Sequence, residues 1–291
     1  MSKHVVRKGE TADGPFSLVV TPESAGWGYS SLRLLELPAG GSATFATGED
    51  ETVVLPLAGA CTVECASAGD RERFELAGRS SVFTRVTDFA YVPRDAEVTV
   101  SSVDGGRFAL PAARATRRLA PRYGPAEGVQ VELRGAGQSS RQVNNFCTPQ
   151  TFEAEKLIAV EVLTPSSNWS SYPPHKHDEQ REGEAELEEV YYFEVENGGP
   201  GFQRVYTSGE GKEIDVCTEV RSGDTVLIPH GWHGPSMATP GYHLYYLNVM
   251  AGPSPDRAWL ICDDPEHAWV RGTWDDQEID PRLPLTTTEE K

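Results

Sequence analysis

Basic side chains are scarce in this 291-residue chain: 26 Lys and Arg stand against 44 Asp and Glu, a formal net charge of −18. Nucleic acids and anionic membrane surfaces both select for clustered Lys and Arg, so neither partner is expected. No apolar run approaches the roughly 18 residues that a membrane span requires. The N-terminal MSKHVVRKGETADG lacks the apolar core of a secretory signal. These absences lead to the expectation of a soluble, cytoplasmic protein. The five cysteines (Cys61, Cys65, Cys147, Cys217 and Cys262) form no CxxC pair, and an odd number suits reduced thiols. Cys61 and Cys65 lie in CTVECA, which reads as a strand. Four strand residues separate them by about 13 Å, too far for a disulfide, so small buried thiols are expected. Neither G-x-x-x-x-G-K-[ST] nor a strand-linked G-x-G-x-x-G occurs, so no nucleotide loop is expected. No long segment carries a 3.6-residue apolar period.

Gly (28) and Pro (21), by contrast, are abundant, and they punctuate short β-branched and aromatic runs. In the first half these runs are FSLVV (16–20), SLRLLELP (31–38), TVVLPLAG (52–59), CTVECA (61–66), RFELAG (73–78), FAYVP (89–93), AEVTVSS (96–102) and RFALP (107–111). In the second they are KLIAVEVLTP (156–165), EVYYFEV (189–195), FQRVYTS (202–208), IDVCTEV (214–220), TVLIP (225–229), HLYYLNVMAG (243–252) and RAWLICDD (257–264). FAYVPRDAEVTV (89–100) echoes TVLIPHGWHGPS (225–236), and TVVLPLAGACTV (52–63) holds the place of EVYYFEV. The pattern predicts an all-β fold of two similar antiparallel barrels in tandem, with few helices. The expected division is 1–115 and 116–291. Between them Arg114, Arg117, Arg118 and Arg122 sit in a stretch (111–128) that reads either as a solvated linker or as a strap pinned to the acidic barrels. The tail from Asp275 to Lys291 reads as an extended strap with a frayed end.

Four of the seven histidines fall in two short segments. In SYPPHKHDEQ, His175 and His177 are two apart, which puts both imidazoles on one face of a strand. Glu189 opens the next strand. In GDTVLIPHGWHG a strand ends at Pro229, and the following turn carries His230 and His233. His233 is taken as the ligand because the Pro229–Gly231 turn precedes it, and His230 as a supporting or exposed residue. Three imidazoles and one carboxylate suit one divalent ion per chain, Zn²⁺ or Mn²⁺ foremost, with Fe²⁺, Co²⁺ or Ni²⁺ also compatible. The absence of thiolates argues against a structural zinc site, and coordination positions left open mean catalysis or ligand capture.

The HKH run (175–177), Glu189 and the Gly223–Pro229–Gly231–His233 run resemble the two motifs of the cupin superfamily. The first half resembles a second cupin barrel without its metal: Glu97 stands in the slot of His233, counted from each Pro. Longer phrases carry a closer likeness, among them TPESAGWGYSSLRL (21–34), TDFAYVPRDAEV (87–98), RQVNNFCTP (141–149), NWSSYPPHKHD (168–178), ELEEVYYFEV (186–195), PHGWHGPSMA (229–238), YYLNVMAG (245–252) and DDPEHAWVRGTW (263–274). Across nearly the whole chain they resemble the 5-deoxy-glucuronate isomerase family of inositol-catabolic bicupins, to which the uronate isomerases of pectin breakdown are related. That resemblance implies isomerisation of the aldose 5-deoxy-glucuronate to 5-dehydro-2-deoxy-gluconate in myo-inositol degradation, with a small sugar acid as partner and a homo-oligomer as one assembly.

Such chemistry moves a proton between adjacent carbons, so it needs polarisation of the carbonyl and a proton shuttle. Alternation from Glu189 turns Tyr191 and Phe193 inward and Glu188 and Tyr192 outward. On the later strand Tyr245 or Tyr246 lines the barrel. Tyr191 and Tyr245 are taken as the catalytic candidates and Glu188 as a solvated neighbour. The substrate carboxylate calls for an Arg fork, for which Arg141 and Arg271 are the candidates and Arg181 a loop alternative. His267 is expected to cap or brace the C-terminal segment. The cupin motifs alone also fit an Fe²⁺-dependent dioxygenase or a non-catalytic sugar-acid binder.

Overall fold

The computed structural model describes residues 3–289; the last two residues of the C-terminal strap lie outside them. The chain forms curled antiparallel sheets. In the first half one strand organises the rest. The runs 52–59 and 61–66 are a single 18-residue strand, Asp50–Ser67. Its first part pairs with Phe89–Val92 and Gly106–Arg114, and its second with Asp70–Arg79 and Ala96–Ser101. The register breaks between Gly59 and Cys61. Gly59 has φ +93° there, and a Cβ on it would lie 2.5 Å from the Gly105 carbonyl oxygen, so only glycine lets the strand turn from one sheet into the other.

The second half closes two sheets over one core. A seven-stranded sheet runs in the order Val5–Val6, Thr225–Ile228, Glu188–Val195, Leu244–Ala251, Ile158–Thr164, Arg141–Cys147 and Gln130–Arg134. Opposite it lies a sheet in the order Asp215–Val220, Gly201–Tyr206, Trp232–Ala238, His175–Lys176 and Cys262–Asp263, with Trp169–Ser170 paired to Trp232–Ala238. Of RAWLICDD (257–264) only Cys262–Asp263 is strand.

Three apolar clusters result. Each barrel has its own: Val54, Val63, Val98 and Phe108 in the first, and Val160, Phe193, Val205 and Val216 in the second. The third joins the barrels, with Leu32, Leu55 and Tyr91 against Leu163, Val190, Tyr192 and Leu247. The large sheet of the second half is therefore covered on both faces. This is why EVYYFEV and LYYLNVMA are apolar on both alternations, the pattern of a strand buried on two sides.

Strand pairing crosses the division at residue 115. Val5–Val6 pairs with Thr225–Val226 in the second half's sheet, and Arg122–Gly124 returns to pair with Phe89–Tyr91 in the first. Each unit thus lends the other a short strand whose hydrogen bonds are completed there. The arginine stretch is a strap: Arg114 pairs with Glu23, Arg117 with Glu155, Arg118 with Asp95 and Arg122 with Glu153.

Carboxylates seal the joint between the halves. Glu188 accepts from the backbone N–H groups of Gly28, Tyr29 and Ser30 at 2.6–2.9 Å; it is a clamp across the halves, not the solvated neighbour expected. Glu51 likewise accepts from the N–H groups of Glu155, Lys156 and Leu157 and from the Tyr91 hydroxyl. Arg79 and Glu161 form an ion pair whose side chains are 0% and 2% exposed. Cys61, Cys65 and Cys147 are buried free thiols, whereas Cys217 is exposed and Cys262 half-buried. No helix among the described residues is long and apolar enough to cross a membrane.

Candidate functional site

Inside the second barrel His177, Glu189 and His233 converge, all buried, with their ligand atoms within 4.8 Å of one another. Three elements deliver them. His177 follows the short strand His175–Lys176. Glu189 faces inward from Glu188–Val195. His233 lies on Trp232–Ala238, directly opposite His175. The turn before His233 requires Gly231: its φ is +102°, and a Cβ would lie 2.6 Å from Ile214 Cγ2 and 2.7 Å from the Tyr206 carbonyl oxygen.

The donor set fits a cation. His177 Nδ1 points to the Leu187 carbonyl at 2.9 Å and His233 Nδ1 to the Gly231 carbonyl at 3.1 Å. With each Nδ1 proton donated to a carbonyl, both Nε2 lone pairs turn to the same point. Each Nε2 stands 3.1 Å from Glu189 Oε2. Three acceptors facing one another at that range repel unless a proton or cation lies between them. His233 Nε2 is buried without a hydrogen-bond partner, the orphan that a ligated ion would satisfy. Burial pushes the Glu189 carboxyl up, but the adjoining His177 and His233 rings outweigh it and hold the carboxyl below its ordinary value.

His175 stands beside the trio, its ring centroid 4.4 Å from that of His233 and 6.3 Å from that of His177. Burial, then the neighbouring His233 and His177, drive its pKa well below the usual imidazole value, which keeps it a neutral donor. Between the two, Lys176 turns outward and is held by Asp178 and Glu184 at 2.6 and 2.7 Å. Asp178 also accepts from the Gly231 N–H at 3.0 Å and the Ser208 hydroxyl at 2.5 Å, so one carboxylate ties the His-x-His strand to the turn that presents His233. His230 sits apart, near the Glu213 carbonyl at 3.5 Å.

A cavity of about 330 Å³ opens beside this centre, the lower end of the range for small-molecule sites. Its lining combines His175, Tyr191, Tyr246, Asn248 and Ser171 with Arg141, Arg134, Arg271, Asp263, Val143, Val162, Trp259 and Ile261. Tyr191 shares a hydrogen bond of 2.9 Å with the Ser171 hydroxyl and stacks on Tyr246 with centroids 4.9 Å apart. Burial, with the Glu189 charge added, raises the Tyr191 pKa well above the ordinary phenol value, so it is a neutral hydroxyl.

Tyr245 is elsewhere. It faces the core between the barrels, its hydroxyl donating to Glu161 at 2.8 Å. Tyr246, the alternative on that strand, is the one that lines the cavity, because the strand's inward residues are 246, 248 and 250. Period-two counting from Tyr246 also gives Asn248, a cavity residue that the sequence reading did not single out. Of the three cavity arginines, Arg134 is paired with Glu132 at 2.8 Å and Arg271 with both oxygens of Asp263. Arg141 is 5% exposed; it donates to the carbonyls of Ser139 and Tyr172 and makes no carboxylate pair among the described residues. Burial lowers its pKa to about 10, still charged at neutrality. Arg181 pairs with Glu184 away from this wall. His267 caps nothing with its side chain; its ring lies against Tyr172, with centroids 6.3 Å apart.

The chain matches the KduI/IolB family model over residues 4–270. It is 41% identical over 256 residues to a 5-deoxy-glucuronate isomerase of Geobacillus kaustophilus, covering 86% of this chain and 89% of that one. To the 5-deoxy-glucuronate isomerase of Bacillus subtilis strain 168 it is 37% identical over 255 residues, covering 86% and 91%. An IolB-like protein from Salmonella typhimurium superposes with a TM-score of 0.84 at 33% identity over 92% of this chain and 99% of that one. The oxalate decarboxylase of Lactobacillus farciminis shares the fold, with a TM-score of 0.65 at 12% identity over 90% of this chain and 89% of that one. Sequence phrases, barrel architecture and nearly full-length matches agree, and the chain belongs to the KduI/IolB family.

Proposed function

We propose that this chain is a 5-deoxy-glucuronate isomerase, converting the aldose 5-deoxy-D-glucuronate to the ketose 5-dehydro-2-deoxy-D-gluconate in myo-inositol catabolism. The observation that carries the reading is one cavity whose lining joins His175, beside the converging His/Glu donor set, to a buried guanidinium that makes no carboxylate pair among the described residues.

His177, Glu189 and His233, with His175 beside them, would hold one divalent ion. Bound there, the ion supplies Lewis-acid polarisation of a carbonyl and its neighbouring hydroxyl. The chain's own residues bind and orient the substrate and handle a proton at oxygen. Arg141 binds the carboxylate end of the open-chain sugar acid, a charge-assisted contact in a desolvated wall. The Tyr191–Tyr246 stack forms a flat surface that orients the carbon chain. Tyr191 Oη and Ser171 Oγ, hydrogen-bonded to each other on the cavity lining, can pass a proton to or from a substrate oxygen.

The reading is tested by incubating metal-loaded protein with 5-deoxy-D-glucuronate in D₂O and following the sugar by NMR. The ketose should accumulate, with deuterium at the carbon that gains the proton if solvent exchange outpaces transfer. Consumption of O₂ without ketose would instead mark an oxygenase. A second measurement concerns Arg141. Removing one charge-assisted contact costs about 1.5–3 kcal/mol, so Arg141→Gln is expected to raise KM roughly 10- to 100-fold. An unchanged KM would reject Arg141 as the carboxylate anchor.

A further inference from the structure

The cavity wall has a chemical order. Arg141 and Val143 are two apart on Arg141–Cys147 and share a face. Val143 lies directly opposite Val162 on the next strand, and Val162 opposite Tyr246 on the one after. Two residues along from Tyr246, Asn248 lies opposite Tyr191, which shares its face with Glu189. All of these except Glu189 line the cavity. On this face of the sheet a guanidinium and a valine share one strand, a second valine lies across from the first, and two tyrosines with a carboxamide follow on the next two strands, the last of which also carries Glu189.

From this order we infer that Val143 and Val162 determine specificity: they select a sugar acid whose carbon next to the carboxylate is a methylene and reject one that carries a hydroxyl there. The inference rests on the proposed function and deepens it. A carboxylate held by Arg141 places its neighbouring carbon at the Val143–Val162 pair, where neither side chain can accept or donate a hydrogen bond. A hydroxyl buried against them would lose its water without replacement. The hydroxyl-bearing carbons further in meet groups able to pair with them: the hydroxyls of Tyr191, Tyr246 and Ser171, and Asn248, whose Oδ1 is buried without a partner. An apolar pocket discriminates against an added hydroxyl by about 100-fold at most, so the preference is real but bounded.

Turnover of glucuronate is a poor comparison, because its 5-hydroxyl also closes a six-membered ring. Stable open-chain acids avoid this. D-gluconate and 2-deoxy-D-gluconate differ only by the hydroxyl beside the carboxylate. Titrated calorimetrically into the metal-loaded protein, 2-deoxy-D-gluconate is expected to bind roughly 10- to 100-fold more tightly. Val162→Thr, and separately Val143→Thr, keep the side-chain shape and add an oxygen. Each should narrow that ratio at least threefold, and Ala variants at the same sites serve where a Thr variant does not fold. Equal affinities in the unaltered protein, or a ratio that no variant moves, would overturn the assignment. Both acids lack an aldehyde, so these results stand apart from the D₂O assay. Isomerase activity with an unmoved ratio rejects the valines alone, and a moved ratio without isomerase activity rejects the reaction alone.

Discussion

His177→Ala is expected to abolish stoichiometric metal and to lower kcat/KM on the order of 10³-fold or more. Lewis-acid stabilisation of developing charge is worth several kcal/mol, and each 1.36 kcal/mol is tenfold in rate. The fold should survive. His177 contributes a buried ring but no strand pairing, and its removal relieves the opposition between its Nε2 and Glu189 Oε2 across 3.1 Å. Elemental analysis of the purified variant gives the metal-to-chain ratio and circular dichroism gives the fold. A folded, metal-free variant with full turnover would end the metal-centre reading. His233→Ala should behave alike, because its orphaned Nε2 faces the same point.

A second large effect is expected in stability rather than catalysis. Arg79→Met leaves Glu161 buried without its counter-ion, and breaking a buried pair from one side costs about 3–5 kcal/mol. Burial pushes the Arg79 guanidinium down, but Glu161 and the nearby Tyr245 hold its pKa above the ordinary value. Glu161 keeps hydrogen bonds from Tyr245 and Asn144, which soften the loss without neutralising the charge. Adding Glu161→Gln should recover part of the stability by removing that charge. Urea titration reads both. If Arg79→Met unfolds at the same urea concentration as the unaltered protein, the ion pair is not a fastener of the two barrels.

Tyr245 shows why such effects are hard to foresee. In most antiparallel sheets one face is wet, and alternation tells inside from outside. Here the first barrel covers the outer face of the second barrel's large sheet, so Tyr245 and Tyr246 are equally apolar neighbours in sequence. A shift of one residue exchanges their faces, and nothing local fixes which tyrosine meets the cavity. Glu188 was obscure for a related reason: its partners are the backbone N–H groups of Gly28–Ser30, about 160 positions away.

The sequence by itself determined the all-β character, and it singled out His177, Glu189 and His233, the residues that the fold brings together. Each of these rests on short-range order: period-two alternation, Gly and Pro at turns, two histidines two residues apart, a glycine where only glycine fits. Tertiary structure decided which of three arginines in one cavity makes no carboxylate pair among the described residues, because Glu132 and Asp263 neutralise the other two through contacts that composition does not reveal. It also decided that Val5–Val6 closes the second barrel and Arg122–Gly124 the first, since unpaired strand edges take whichever partner the packed barrels bring within hydrogen-bonding distance.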